Sequence, residues 1–191
     1  MSRIVSGVAG GRRLVVPRGG ATRPTSERVR EALFGSLDAR DLVRGVPVLD
    51  LFCGSGALGL EAMSRGATQG VLVDAGKPAV DAARKNVATL GLSDVAVVHS
   101  PVQKYLDGRP ALAAGLVFAD PPYPLDEDEL ASLLASLAGR GWLAPDATVV
   151  VERSRRSPEP RWPAGLHREK ERRYGETTIW QAVWDPEPSS S

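Results

Sequence analysis

The sequence predicts an α/β fold: a mostly parallel, seven-stranded sheet with helices on both faces and an antiparallel closing hairpin. Three observations predict it. From Val46 onward, short apolar runs alternate with stretches of helical period. The runs are continuously apolar, as in strands covered on both faces. The last segment differs: residues 168–173 are highly charged and Thr177 to Trp184 alternates weakly, as in two antiparallel strands closing a sheet.

The elements follow in order. Ile4-Val5 and Leu14-Val15-Val16 flank Gly10-Gly11, a small basic β-hairpin. A helix is expected over about 26–37, with Val29, Leu33, Phe34 and Leu37 apolar and Thr25 or Ser26 as N-cap. Val46 to Leu51 reads as a buried strand, 57–65 as a helix, and Gly70 to Asp74 as a second strand ending in an acid. Residues 77–90 carry Val80, Ala83, Val87 and Leu90 on one helical face, with Gly91 as the stop. Val95 to Val98 and Leu116 to Ala119 are the third and fourth strands, 126–138 is a helix with Leu130, Leu133, Leu134 and Leu137 inward, and Thr148 to Val151 is the fifth strand. The organisation read from this is an extension over 1–45, a main domain over 46–185, and a disordered Pro/Glu/Ser tail over 186–191. Parallel sheets of this kind bind ligands beyond the carboxyl ends of their strands, so the chemistry is expected just after Leu51, Val73, Val98 and Ala119.

Composition narrows the class. The 191 residues are 42% hydrophobic and 25% charged, as in a soluble protein with one core. No apolar run approaches the roughly 20 residues that span a bilayer. Met1 to Val5 lacks the apolar stretch of a signal peptide, and the single cysteine, Cys53, excludes an intrachain disulfide. The cytoplasm is the expected location and a monomer the expected state, with no membrane and no metal site. The net charge of +1 conceals an asymmetry: residues 1–40 and 153–173 each carry a balance of +5, leaving −9 for the remainder. Basic flanks around an acidic centre suit a polyanion bound across a site whose small ligand is cationic.

The loop Asp50-Leu51-Phe52-Cys53-Gly54-Ser55-Gly56-Ala57-Leu58-Gly59 follows a strand and opens a helix. Its glycines allow a tight turn and close approach to a ligand. Asp74 ends the next strand, 20 residues after Gly54, where an acid accepts hydrogen bonds from ribose hydroxyls. This much suits NAD or S-adenosylmethionine. Asp50 separates them, since an acid beside the loop repels a pyrophosphate and favours a sulfonium. Cys53 reads as a small loop filler.

Asp120-Pro121-Pro122-Tyr123 follows the fourth strand. Two prolines stiffen the backbone and remove two amide donors, so the Asp120 carboxylate and the Pro121 carbonyl face a pocket as acceptors only, with Tyr123 a flat face beside them. That set suits an exocyclic base amine attacking a methyl group. Fixed acceptors on its N–H groups favour the pyramidal geometry and spread the positive charge developing on nitrogen. Tyr123 stacks on a base taken out of its own stack.

These motifs resemble class I S-adenosylmethionine-dependent methyltransferases with a Rossmann-like fold. The segments Ile4-Val5-Ser6-Gly7, Gly11-Arg12-Arg13-Leu14, Arg23-Pro24-Thr25 and Arg28-Val29-Arg30-Glu31-Ala32-Leu33-Phe34 resemble the RsmD family. The resemblance implies transfer of a methyl group to N2 of guanine-966 in 16S rRNA, within assembling small subunits, with S-adenosylhomocysteine as product. It implies that Asp50, Phe52, Gly54, Gly56, Asp74 and the Val102 amide hold the cofactor. Asp120, Pro121 and Tyr123 would hold the target amine, and Arg3, Arg12, Arg13, Arg23, Thr25 and Arg28 would contact RNA. One departure stands out: Pro101 stands where the family usually has an acidic or polar residue meeting the adenine amine. His99 is expected to be a strand-end residue, and His167 has no assigned role. Alternatives are a base-amino methyltransferase acting on DNA adenine or another RNA, an NAD-dependent oxidoreductase on a similar fold, and a binding module without activity.

Overall fold

The computed structural model describes residues 2–17 and 27–186. Two short strands, β1 (Ser2–Arg3) and β2 (Arg13–Leu14), pair antiparallel. They are followed by α1 (Glu27–Asp38), β3 (Pro47–Leu51), α2 (Ala57–Ser64), β4 (Gln69–Asp74), α3 (Lys77–Leu90) and β5 (Val95–His99). Then come α4 (Val102–Leu106), β6 (Ala114–Ala119), α5 (Glu127–Gly139), β7 (Leu143–Ser154), β8 (Leu166–Tyr174) and β9 (Thr177–Trp184). The expected N-cap at Thr25 or Ser26 and the tail beyond Pro186 lie outside the described residues.

The main sheet runs β5-β4-β3-β6-β7-β9-β8. Only β9 is reversed, pairing antiparallel with β7 and β8. Period-two alternation sorts the side chains between the faces. Leu49, Leu51, Val71, Val73, Val117, Ala119, Val149 and Val151 pack with α4 and α5. Val48, Leu116, Phe118, Val150 and Ile179 pack with Leu33, Phe34 and Leu37 of α1. Ile4 and Leu14 of the hairpin join Leu60, Leu72, Ala83 and Leu90 in a third cluster. Asp50 is on the same face as Val48 and looks toward α2.

Chain order moves outward from β3 to β4 and β5, then crosses back to β6 on the other side of β3. That switch point leaves a crevice above the carboxyl ends of β3 and β6.

The hairpin is shifted from its expected position: Ser2 and Arg3, not Ile4 and Val5, pair with Leu14 and Arg13. Ile4 is fully buried, and its backbone bonds across the turn to Arg12 and Gly11. A buried charge network ties the hairpin down. Glu61, fully buried on α2, accepts from the Val5 and Ser6 amides at 2.8 and 3.0 Å and from Arg65 Nε at 2.8 Å. Arg30 of α1 is 1% exposed, lies 3.7 Å from Glu61 and donates to the Arg3 carbonyl. A buried carboxylate is tolerable only when paired and hydrogen-bonded, and this one joins hairpin, α1 and α2. Gly7 is indispensable to the contact, since a Cβ there would stand 1.9 Å from the Ser64 carbonyl oxygen.

Candidate active site at the carboxyl edge

Register brings the site together. Leu51 pairs with Val73 on one side and Ala119 on the other, Asp74 pairs with His99, and the Asp120 amide lies 3.5 Å from the Leu51 carbonyl. Asp120 therefore stands level with the start of the glycine loop, one strand spacing away, about 4.8 Å.

The loop turns sharply off β3. Phe52 has φ 60° and Gly54 φ 55°. A phenylalanine in the left-handed region is strained, and its half-buried ring is held against the main core. Gly56 is the N-cap of α2 with φ 83°. The third glycine has a packing role: a Cβ at Gly59 would meet Leu72 Cδ2 at 2.3 Å and Asp50 Oδ2 at 3.1 Å. The Gly59 amide donates to Asp50 at 2.8 Å. Asp50 is 1% exposed, and burial, opposed by that hydrogen bond and assisted by the charge of Asp74, pushes its carboxyl up to about 7. Its carboxylate is beneath the loop, bonded to the Gly59 amide, rather than in the open crevice. Asp74 is at the lip, where its two oxygens accept from the Gly54 and Gly76 amides at 2.9 and 2.8 Å. A carboxylate offers about four acceptor positions, so each oxygen keeps one for a hydroxyl. Cys53 is 8% exposed and donates weakly to the Gly54 carbonyl at 3.7 Å. Burial raises its thiol further, which suits a filler and not a nucleophile.

These residues fit S-adenosylmethionine better than a dinucleotide. The Gly54 amide, which in a pyrophosphate site points at the ligand, is donated to Asp74 instead. Residues 50–59 contain no Lys or Arg, and nothing lies within 4 Å of the position a Gly54 Cβ would take. The loop is thus an open cradle between two acids, suited to a cationic ligand bearing a ribose. His99 closes one side, its Nε2 3.0 Å from the Ala75 carbonyl, a strand-end role. Pro101 is exposed and precedes α4, whose first residue, Val102, is buried.

The Asp-Pro-Pro-Tyr segment emerges from β6. Asp120 is half-buried, Pro121 buried and Tyr123 58% exposed, so the tyrosine is not part of the core. The Leu125 amide donates to the Pro122 carbonyl at 3.0 Å, closing a turn with Tyr123 on its outside. Asp126 then caps α5 in a capping box with Glu129. Sequence reading missed the brace on this loop. Arg153, 7% exposed near the end of β7, donates to the Leu125 carbonyl at 3.1 Å and to the Glu127 carboxylate. The available signal was an arginine following Val149-Val150-Val151-Glu152, in line with a buried strand.

The residues expected to meet RNA are dispersed. Arg23 and Thr25 lie outside the described residues. Arg12 donates to the Leu90 and Thr89 carbonyls at 3.1 and 2.5 Å, capping the end of α3. That end leads into the start of β5, so Arg12 is at the edge opposite Asp120. Arg3 pairs with Glu27 at 3.1 Å, while Arg13 is exposed. Arg28, also exposed, is on the first turn of α1. The other end of α1 pairs with Arg65 at the end of α2, so Arg28 is on the end of α1 nearer the carboxyl edge.

Fold and site define a class: a Rossmann-like methyltransferase with its crevice between β3 and β6. Residues 2–183 match the family described as Conserved hypothetical protein 95. The chain belongs to that family, the RsmD-type methyltransferases to which its motifs pointed. It is 38% identical over 170 residues, 88% of this chain and 83% of the relative, to Ribosomal RNA small subunit methyltransferase D of Escherichia coli K12. Among solved structures it resembles yhhF of Escherichia coli, described as a methyltransferase. The TM-score is 0.86 at 34% identity, covering 97% of this chain and 99% of that one. A hypothetical protein of Thermus thermophilus superposes with TM-score 0.78, also at 34% identity, over 95% and 98% of the two chains.

Proposed function

We propose that the protein methylates the exocyclic N2 amine of a guanine in small-subunit rRNA, the position corresponding to guanine-966, using S-adenosylmethionine. The observation that carries this reading is the adjacency of two strand tips: Asp120 one strand from a glycine loop that is open at Gly54 and flanked by Asp50 and Asp74. Asp74, Gly54, Gly56, Phe52 and the Val102 amide would hold the cofactor, with Asp50 beneath them. When bound, the cofactor supplies an electrophilic methyl group on a sulfonium.

The chain's own residues do the rest. Asp120 and the Pro121 carbonyl accept from the two N–H groups of the target amine, whose lone pair is otherwise delocalised into the ring. Holding that lone pair in line removes much of the entropic barrier, and the acceptors stabilise the charge that develops on nitrogen. Tyr123 stacks on the base. The amine's proton passes to Asp120 or to solvent. The relatives' name supports rRNA as substrate, and an assembling subunit presents that rRNA together with ribosomal proteins.

The test is to incubate purified protein with labelled S-adenosylmethionine and, separately, unmodified 16S rRNA, small subunits lacking the mark, and duplex DNA, then map the label. One guanine N2 in the rRNA is expected to carry it. Label on DNA alone would overturn the assignment.

A further inference from the structure

The basic segment 153–173 divides sharply when its arginines are placed. Arg153 is buried against Glu127. Arg161 pairs with Asp128 and Arg168 with Glu159. Four others form a group apart. Ser154, the last residue of β7, pairs with Thr177, which pairs in turn with Tyr174. The turn after β7 and the β8–β9 turn thus lie side by side, and the Arg155 amide donates to the Glu176 carbonyl at 2.8 Å. Because β7 runs parallel to β6, both turns are at the carboxyl edge, the edge of Asp120.

Arg155, Arg156, Arg172 and Arg173 are exposed there, with Arg172 and Arg173 on opposite faces of the edge strand β8. Arg173 meets Glu171 at 2.8 Å, an exposed pair that is weak in water. The side chains of Arg155, Arg156 and Arg172 make no hydrogen bond or ion pair with the described residues. Two acids, Glu171 and the exposed Glu176 of the turn, stand against these four arginines, so the patch keeps a net positive charge. At about 4.8 Å per strand, β8 is roughly 14 Å from β6, within reach of a nucleic-acid strand whose base occupies the Asp120 crevice.

We propose that Arg155, Arg156, Arg172 and Arg173 form a phosphate-binding ledge that holds the RNA backbone flanking the target nucleotide. This rests on the rRNA reading above and moves the main RNA contact away from the hairpin tip. Arg12, at the far edge, is engaged with α3. The ledge recognises phosphodiester charge and not base identity, so it contributes affinity and register without selecting the guanine.

The experiment uses the full chain and naked 16S rRNA. Equilibrium binding is measured across about 50–200 mM salt for wild type, Arg155→Ala/Arg156→Ala, Arg172→Ala/Arg173→Ala, and a control, Arg44→Ala/Arg140→Ala, which removes the same charge from two exposed residues at the opposite edge of the sheet, one just before β3 and one just after α5. Each phosphate contact contributes about 0.7–0.9 to the slope of log affinity against log salt. Each ledge variant is expected to flatten the slope by about 1.5, raise KM for RNA and leave kcat at saturating RNA unchanged, with the lysine versions restoring the slope. The control is expected to keep the wild-type slope. Ledge variants with the wild-type slope, or a control that flattens it equally, would overturn the ledge while leaving the rRNA reading intact. A loss seen on assembled subunits but not on naked rRNA would place the patch against protein, and would also overturn it. Wild type that binds no rRNA would overturn both.

Discussion

The two loops that meet at the switch point are built on opposite plans. The glycine loop after β3 satisfies itself from within. Its amides at Gly54 and Gly59 are taken by Asp74 and Asp50, its strained Phe52 is packed against the core, and its acids are buried or half-buried. The Asp-Pro-Pro-Tyr loop after β6 has two residues with no amide to offer, an outward tyrosine, and a brace supplied by β7 through Arg153. The two plans match two kinds of ligand. A cofactor that returns at every turnover suits a preformed cradle, and a base entering from a large substrate suits an open rim of acceptors held from outside.

The target loop depends on its brace. Arg153→Ala leaves the half-buried Glu127 carboxylate and the Leu125 carbonyl without their donor, and leaving such groups unsatisfied costs about 1–3 kcal/mol. Urea denaturation should show a loss of that order, and surviving folded protein should keep cofactor affinity while losing kcat. Next, Asp120→Ala removes one preorganised acceptor, and kcat should fall on the order of 10²–10³ in single-turnover methyl transfer. An unchanged rate would remove Asp120 from the chemistry. Gly59→Ala attacks the other loop. The added methyl meets Leu72 and Asp50, and overpacking of this kind costs about 1–3 kcal/mol, so melting and cofactor affinity should both decline while the Tyr123 loop is untouched.

The smallest expected effect sharpens the role of Asp50. Burial raises its carboxyl from 3.8 to about 7. The folded state therefore holds this proton more tightly than the unfolded chain. The stability from this group is full below pH 4 and is lost as pH rises through about 7. A cationic ligand favours the ionised form, so cofactor binding should release a proton near neutrality and weaken as pH falls below that value. Calorimetry in buffers of different ionisation heat should detect the release in wild type and not in Asp50→Asn.

Much of this was legible in the chain. Residues 77–90 have an unbroken apolar face and a glycine stop, and α3 spans Lys77–Leu90 with Gly91 in the left-handed conformation. The strand tips carrying Asp50, Asp74 and Asp120 fall where the apolar runs end. Helix α4, five residues long, is too short to show a period. Strand β7 runs over Leu143–Ser154, well beyond 148–151, because Leu143 pairs with Ala114 of β6 at its start and β9 pairs with it as far as Ser154. Hydropathy reads Glu61 as a solvated helix residue, and only the docking of Val5 and Ser6 onto α2 reveals it as buried. Arg12 and Arg153 look alike in a basic stretch, yet one caps a helix and the other braces the target loop. Their partners are 77 and 26 residues away, beyond any local pattern.

The most direct test of the division between the loops is a pair of dissociation constants for S-adenosylmethionine, measured by calorimetry on Asp74→Ala and Asp120→Ala beside their kcat values. Asp74→Ala should bind the cofactor far more weakly and turn over near the wild-type rate when saturated. Asp120→Ala should bind it as wild type does and scarcely turn over. If Asp120→Ala loses cofactor affinity in proportion to its rate, or Asp74→Ala loses only rate, the two strand tips do not divide the work as described.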